Sequence, residues 1–191
     1  MREQIEQRFV ESAKVIHAAG ERLAERIAEA AGIVIEAYRS GCGVFLFGNG
    51  GSAADAQHIA GELVGRFLVN RRALKAVALT TDSSVLTCLA NDFSFEEIFA
   101  RQIEANTVAG DVAIGLSTSG NSPNVVAGLS KAREMGLKTI AFTGQGGGRC
   151  AKLADVLLDV PCADPPPRVQ EATMVIYHVL CELVEQVVAD E

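Results

Sequence analysis

The stretch "FGNGGSAADAQHIAGE" at residues 47–62 sets a glycine-rich turn directly before a run of helix formers carrying a histidine and a glutamate. Gly48, Gly50 and Gly51 free the backbone to turn tightly. They leave N–H groups and the Ser52 hydroxyl near a helix N-terminus, where an anion such as phosphate is favoured. Within the helix that follows, His58 and Glu62 are four residues apart and share one face, so both could contact one metal ion or one substrate. The plain alternatives are a tight strand-to-helix turn and a solvated His–Glu pair. A dinucleotide fingerprint is a third reading, because Gly48-x-Gly50-x-x-Ala53 nearly matches it.

A second loop, "STSGNSPN" at residues 117–124, packs four hydroxyls (Ser117, Thr118, Ser119, Ser122) and a glycine into the end of a strand-like run. Hydroxyls and free amides at a helix start give several neutral donors to a phosphate, and Pro123 suits the first helical turn. Serine-rich turns also serve as simple caps. Two such loops at one sheet edge strengthen the anion-site reading of both. Gln170 and His178 form a further polar set near the C-terminus. Eight residues rise about 12 Å along a helix axis, too far for both side chains to reach one ion comfortably. Either Gln170 lies in a distorted first turn, or the two ligands of one site come from different chains. His17 fits the face of the first helix and is read as structural.

The elements that must position these groups follow from apolar periodicity. Ile5, Phe9, Ala13 and Ile16 recur at helical spacing, and after a break near Gly20 so do Leu23, Ile27 and Ile33, which predicts two helices over residues 3–38. Strand-like runs then end at Phe47, Thr80, Ser117, Gly144 and Pro161, with helical patterns between most of them. Ser52 reads as the N-cap of the helix after the first run. Short apolar runs joined by helix-length crossovers imply a parallel sheet covered on both faces, with ligands beyond the carboxyl ends of the strands. The segment "PCADPPPR" at 161–168 cannot be a helix interior, whereas "VQEATMVIYHVLCELVEQVV" reads as a terminal amphipathic helix.

A chain of 191 residues with 49% hydrophobic content supports one well-cored α/β domain over residues 1–191. A net charge of −7 argues against a broad nucleic-acid surface and leaves small ligands as the better partners. The five cysteines, at 42, 88, 150, 162 and 181, contain no CxxC pair, so neither a disulfide framework nor a zinc ribbon is indicated. The charged start lacks the apolar core of a signal peptide, and no apolar run approaches membrane-spanning length. These features predict a soluble, cytoplasmic protein.

Four segments together carry a resemblance: "GNGGSAADAQHIAGELVGRF", "LTTDSSVLTCLANDFSFEEIFARQIEA", "GDVAIGLSTSGNSPNVVAGLSKAREMGLKTIAFTG" and "RVQEATMVIYHVLCELVE". In that order they resemble the phosphoheptose isomerase family of the sugar isomerase (SIS) domain superfamily. The resemblance implies a flavodoxin-like five-stranded parallel sheet sandwiched by helices. It also implies an N-terminal helical extension (residues 1–40) used to build a homotetramer around a core (41–191), and active sites at subunit interfaces. It places one zinc ion per active site on His58, Glu62, Gln170 and His178, phosphate on Ser52, Ser117, Ser119 and Ser122, and substrate contacts on Asn49, Gly50, Gly51, Asn91, Asp92 and Thr118. Arg66 is a further candidate near the same pocket.

The reaction so implied converts sedoheptulose 7-phosphate into D-glycero-D-manno-heptose 7-phosphate through an enediol, as the first step towards nucleotide-activated heptose. Glu62 suits the base at C1, and His178 the acid at the opposite face of the reacting centre. A non-catalytic SIS-domain binding protein is the rival from another class, of the replication initiator-associating or sugar-phosphate-sensing kind. It has no need of Glu62 and His178 together. A nucleotide-binding dehydrogenase ranks lower, because it gives the serine-rich loop no role.

Overall fold

The computed structural model describes residues 1–162 and 166–189. Along the chain run α1 (Arg2–Arg39), β1 (Val44–Gly48), α2 (Gly51–Val64), β2 (Ala76–Ala78), α3 (Ser83–Asp92) and α4 (Ala100–Asn106). After these come β3 (Val112–Ser117), α5 (Pro123–Glu134), β4 (Lys138–Thr143), a short 3-10 turn (Gly148–Lys152), β5 (Val156–Asp159) and α6 (Pro166–Val188). All strand pairs are parallel, and the sheet order is β2-β1-β3-β4-β5. This is the doubly wound, flavodoxin-like arrangement expected from the alternating pattern.

Period-two alternation assigns each strand two faces. Val44 and Leu46 of β1, with Ile114 of β3 and Ile140 of β4, face a core closed by α1, α2 and α6. Phe45 and Phe47, with Ala113 and Ala141, face a second core closed by α4 and α5, against which α3 leans through Leu86 and Leu89. Phe47 is fully buried between Phe99, whose ring centroid is 5.2 Å away, and Gly128 of α5. A Cβ on Gly128 would fall 2.8 Å from the Phe47 ring, so the close approach of α5 depends on that glycine. Burial of a side chain such as Phe47 contributes about 1.5–3 kcal/mol.

Three local expectations are corrected. The predicted pair of N-terminal helices is one continuous helix, α1. Gly20 costs roughly 1 kcal/mol in a helix, but buried Ala19, Leu23, Ile27, Ala30 and Val34 continue one stripe across it and join the core that α6 completes, so packing outweighs propensity. The strand expected to run to Thr80 is only Ala76–Ala78, because the Leu74 amide is diverted to the Leu63 carbonyl at the end of α2 (3.2 Å) and the chain turns after Leu79. The N-cap of α2 is Gly50, not Ser52, which sits in the first turn. Of the proline-rich break at 161–168, residues 163–165 lie outside the described residues, and α6 is already helical from Pro166.

Strand order reverses between β1 and β3, since the chain leaves β1 towards β2 on one side and β3 towards β4 on the other. Their carboxyl ends therefore open a crevice, and the two loops singled out in the sequence are the ones that border it.

Candidate active site

The first loop turns at Gly50, whose φ of +55° is in the left-handed region that favours glycine. A Cβ on Gly51 would lie 2.4 Å from Gln170 Nε2, so α6 passes directly over the start of α2. In the second loop Ser117 ends β3 with its Oγ 2.9 Å from Ser122 Oγ and 3.5 Å from Ser119 Oγ, so three hydroxyls converge. Ser122 holds the N-cap position of α5 but makes no side-chain capping bond. Its hydroxyl is turned to the serine cluster instead; in the first turn of α5 Pro123 has no N–H and the Val125 amide donates to Asn124 Oδ1 at 2.9 Å, so the Asn124 amide is the donor left for an anion. Asn49 and Asn124 lock the loops together by reciprocal amide bonds of 2.8 Å each. Ser52, Ser117, Thr118 and Gln170 line one narrow crevice.

About 9 Å further along α2, the six-residue rise from Ser52 to His58, the ionisable groups meet. His58 Nε2 lies 3.0 Å from Glu62 Oε1, and His178 Nε2 of α6 lies 3.5 Å from His58 Nε2. The ligand atoms of His58, Glu62 and His178 all fall within 4.8 Å of one another, so this group could hold a metal ion. All three come from one chain. Phe67 packs its ring 5.6 Å from that of His178.

The other sequence candidates are distributed around this line. Gln170 lies inside regular helix, not in a distorted turn, and its amide donates to Asp55 Oδ2 at 2.9 Å. Asn91 and Asp92 end α3, and their contacts are local: Asn91 Nδ2 donates to Asp92 Oδ1 at 2.8 Å, and Cys88 Sγ lies 3.4 Å from Asp92 Oδ2. Arg66 reaches only the Leu68 carbonyl, at 3.5 Å. Within one chain, these last three make no contact with the serine cluster or the histidines among the described residues.

The SIS domain family model matches residues 8–144. A phosphoheptose isomerase from Aquifex aeolicus is 54% identical over 190 residues, covering 100% of this chain and 99% of its own. The chain belongs to the phosphoheptose isomerase family. A second family member, from Geobacter sp. strain M21, is 48% identical over 97% of this chain and 96% of its own. The solved phosphoheptose isomerase of Neisseria gonorrhoeae superposes with a TM-score of 0.92 at 39% identity, covering 97% of this chain and 99% of that one. Membership makes this chain an isomerase and fixes the fold independently of the strand reading.

Four residues that help build this candidate site escaped the sequence reading: Asp55, Tyr177, Arg71 and Glu185. Asp55 is buried one turn before His58, on the same helical stripe that continues to Glu62. That 3-then-4 spacing was the available signal. Burial raises its carboxyl above the usual range, while the Gln170 amide, the charge of nearby His58 and the Tyr177 hydroxyl pull it back down. The Tyr177 phenol is pushed well up, first by burial and then by Asp55. Arg71 caps the end of α2, donating to the Glu62 carbonyl at 2.7 Å and the Leu63 carbonyl at 2.9 Å. Nothing in the spacing of Arg71 and Glu185, 114 residues apart in the chain (185 − 71), announces their ion pair of 3.2 Å.

Proposed function

We propose that this chain interconverts sedoheptulose 7-phosphate and D-glycero-D-manno-heptose 7-phosphate by proton transfer between C1 and C2. The observation that carries the reading is the facing of Glu62 by His178 across His58, with a serine-lined anion cradle at the other end of α2. The phosphate is held by Ser52, Ser117, Ser119 and Ser122, with the Asn124 amide at the start of α5, which fixes the sugar chain along α2. Asn49, Gly50, Gly51 and Thr118 border that path. Glu62 removes the C1 proton after leaving its His58 partner, and His178 supplies a proton at the opposite face of the reacting centre. Without a carboxylate and an imidazole so placed, the fold would serve a binding protein equally well.

A mixed set of two imidazole nitrogens and a carboxylate oxygen suits zinc, and His58, Glu62 and His178 are the residues that would hold it, with Gln170 as the fourth ligand the family resemblance implies. Bound there, zinc would polarise the substrate carbonyl and stabilise negative charge on the enediolate. No helix among the described residues is long and apolar enough to cross a membrane, consistent with a cytoplasmic enzyme acting on a small phosphorylated sugar. The exposed apolar side chains of Ile5, Phe9 and Val10 at the start of α1 support assembly as a homotetramer through the N-terminal helix, with Arg66, Asn91 and Asp92 reaching the substrate at subunit interfaces. Sedimentation equilibrium should give four times the chain mass, and a monomer would exclude the interface site.

The chemistry is tested by incubating metal-analysed protein with sedoheptulose 7-phosphate in deuterated water. The expected product is the aldose carrying solvent deuterium at C2. Aldose without solvent label would argue against a proton-transfer route that exchanges with solvent, and no aldose at all would remove the proposed substrate.

A further inference from the structure

Asn49 and Asn124 stand on opposite sides of the point where the strand order reverses. One is on the loop after β1 and the other in the first turn of α5, and each side-chain amide donates to the other at 2.8 Å. The strands that carry them are paired with Gly48 beside Leu116, and a Cβ on Gly48 would fall 2.8 Å from the Leu116 carbonyl oxygen, so the two loops leave the sheet in close contact. Asn124 is 2% exposed, whereas Asn49 is half-buried. Asn124 Oδ1 also accepts from the Val125 amide at 2.9 Å.

That additional bond decides which way round both amides lie. A backbone N–H only donates, so the Asn124 atom beside Val125 is the carbonyl oxygen, and the Asn124 NH2 group is left to face Asn49. Asn49 must then turn its own oxygen to that NH2 group and its own NH2 group to the Asn124 oxygen. The exchange leaves Asn49 with one N–H and one acceptor lone pair, and no other group among the described residues takes either. We propose that Asn124 is a positioning residue which, acting through Asn49, makes the crevice select a hydroxyl-bearing phosphate ester over phosphate itself. A donor and an acceptor on one fixed amide match a sugar hydroxyl, which both donates and accepts. A phosphate oxygen only accepts, and it is served by the serine hydroxyls, whereas the Asn49 lone pair would repel it. Asn124 is too deeply buried to meet the ligand, and its whole effect passes through the amide that it orients.

Asn49 has this role only if the crevice takes a sugar phosphate, as proposed above, and the experiment separates the two readings. In the full-length protein, initial-rate kinetics with sedoheptulose 7-phosphate are compared with inhibition by inorganic phosphate. Asn124→Ala should raise KM about tenfold with kcat changed much less, the effect of losing one well-placed hydrogen bond. The inhibition constant of inorganic phosphate should stay nearly unchanged. Asn49→Ala should reproduce that split, and adding Asn124→Ala to it should cost little further, since nothing is left to position. Asn124→Ser is too short for the reciprocal pair and repeats the comparison if the alanine variant folds poorly. General loosening of the loops would weaken both ligands alike and would add to the effect of Asn49→Ala; either result overturns the proposal. If the sugar is not turned over, the proposed reaction falls, and direct titration with the same two ligands still decides the role of Asn124. Sedoheptulose 7-phosphate that binds wild type no tighter than inorganic phosphate, or binds folded Asn124→Ala as well as wild type, refutes it.

Discussion

Glu62→Gln should lower kcat for the ketose–aldose interconversion by about 10³-fold, within the range that a positioned general base supplies. Glutamine matches glutamate in size and can still take a hydrogen bond near His58, but it cannot accept and hold the C1 proton. Its effect is therefore chemical and leaves packing intact: Glu62 is half-buried and outside the hydrophobic core, its carboxylate contacting His58 at 3.0 Å. KM should change much less than kcat, since on the proposed reading the phosphate end is anchored on Ser52, Ser117, Ser119 and Ser122 at the far end of α2. The check is initial-rate kinetics on protein of measured zinc content, together with wash-out of a C1 deuterium label from the substrate. The variant should lose the wash-out along with turnover. Retained turnover with metal still bound would remove Glu62 from the role of base and shift attention to His178.

Legibility in the sequence followed the range over which each interaction acts. The sheet was legible because apolar alternation is local: Val44, Phe45, Leu46 and Phe47 alternate between two cores whatever the rest of the chain does. Both loops were legible for the same reason, as was the His58–Glu62 pair on one helical face. The errors came where tertiary packing overrode local preference. Gly20 reads as a break, but the stripe of Ala19, Leu23 and Ile27 carries α1 through it. Ser52 has the chemistry of an N-cap, but the turn at Gly50 starts the helix one residue before it. Least legible were groups whose meaning exists only across helices. Asp55 and Tyr177 look like a stray acid and a core aromatic until α6 is laid on α2, and Gln170 turns out to contact Asp55 rather than the histidines. Family resemblance supplied the pairing of His178 with Glu62, which a separation of 116 residues (178 − 62) conceals from any periodicity.

Glu185 is the residue whose loss should most damage the folded state. It is buried at 3% exposure on α6, and its carboxylate accepts the amides of Phe67 (2.8 Å), Leu68 (2.6 Å) and Val69 (3.1 Å) while pairing with buried Arg71 at 3.2 Å. Glu185→Ala would strand those donors and an arginine charge together, a defect that typically costs about 3–5 kcal/mol. Glu185→Gln keeps one acceptor and should cost clearly less. Chemical denaturation at fixed protein concentration measures both, and an alanine variant within about 1 kcal/mol of wild type would refute the clamp. The pH dependence supplies an independent check. Burial by itself would raise this carboxyl, but the three amides and Arg71 outweigh it and hold the group below its ordinary value in the folded state. A depressed folded pKa contributes stability that is fully present above the unfolded value, about 4.3, and is lost as pH falls through the folded value. The stability gap between wild type and Glu185→Gln should accordingly be widest near neutrality and close below pH of about 4. Function is coupled to the same clamp, because Arg71 caps the α2 turn that bears Glu62 and the clamped loop carries Phe67 against His178. At temperatures where Glu185→Gln remains folded, it should therefore lose activity beyond its unfolded fraction, as Glu62 and His178, the proposed base and acid, drift from the geometry that proton transfer demands.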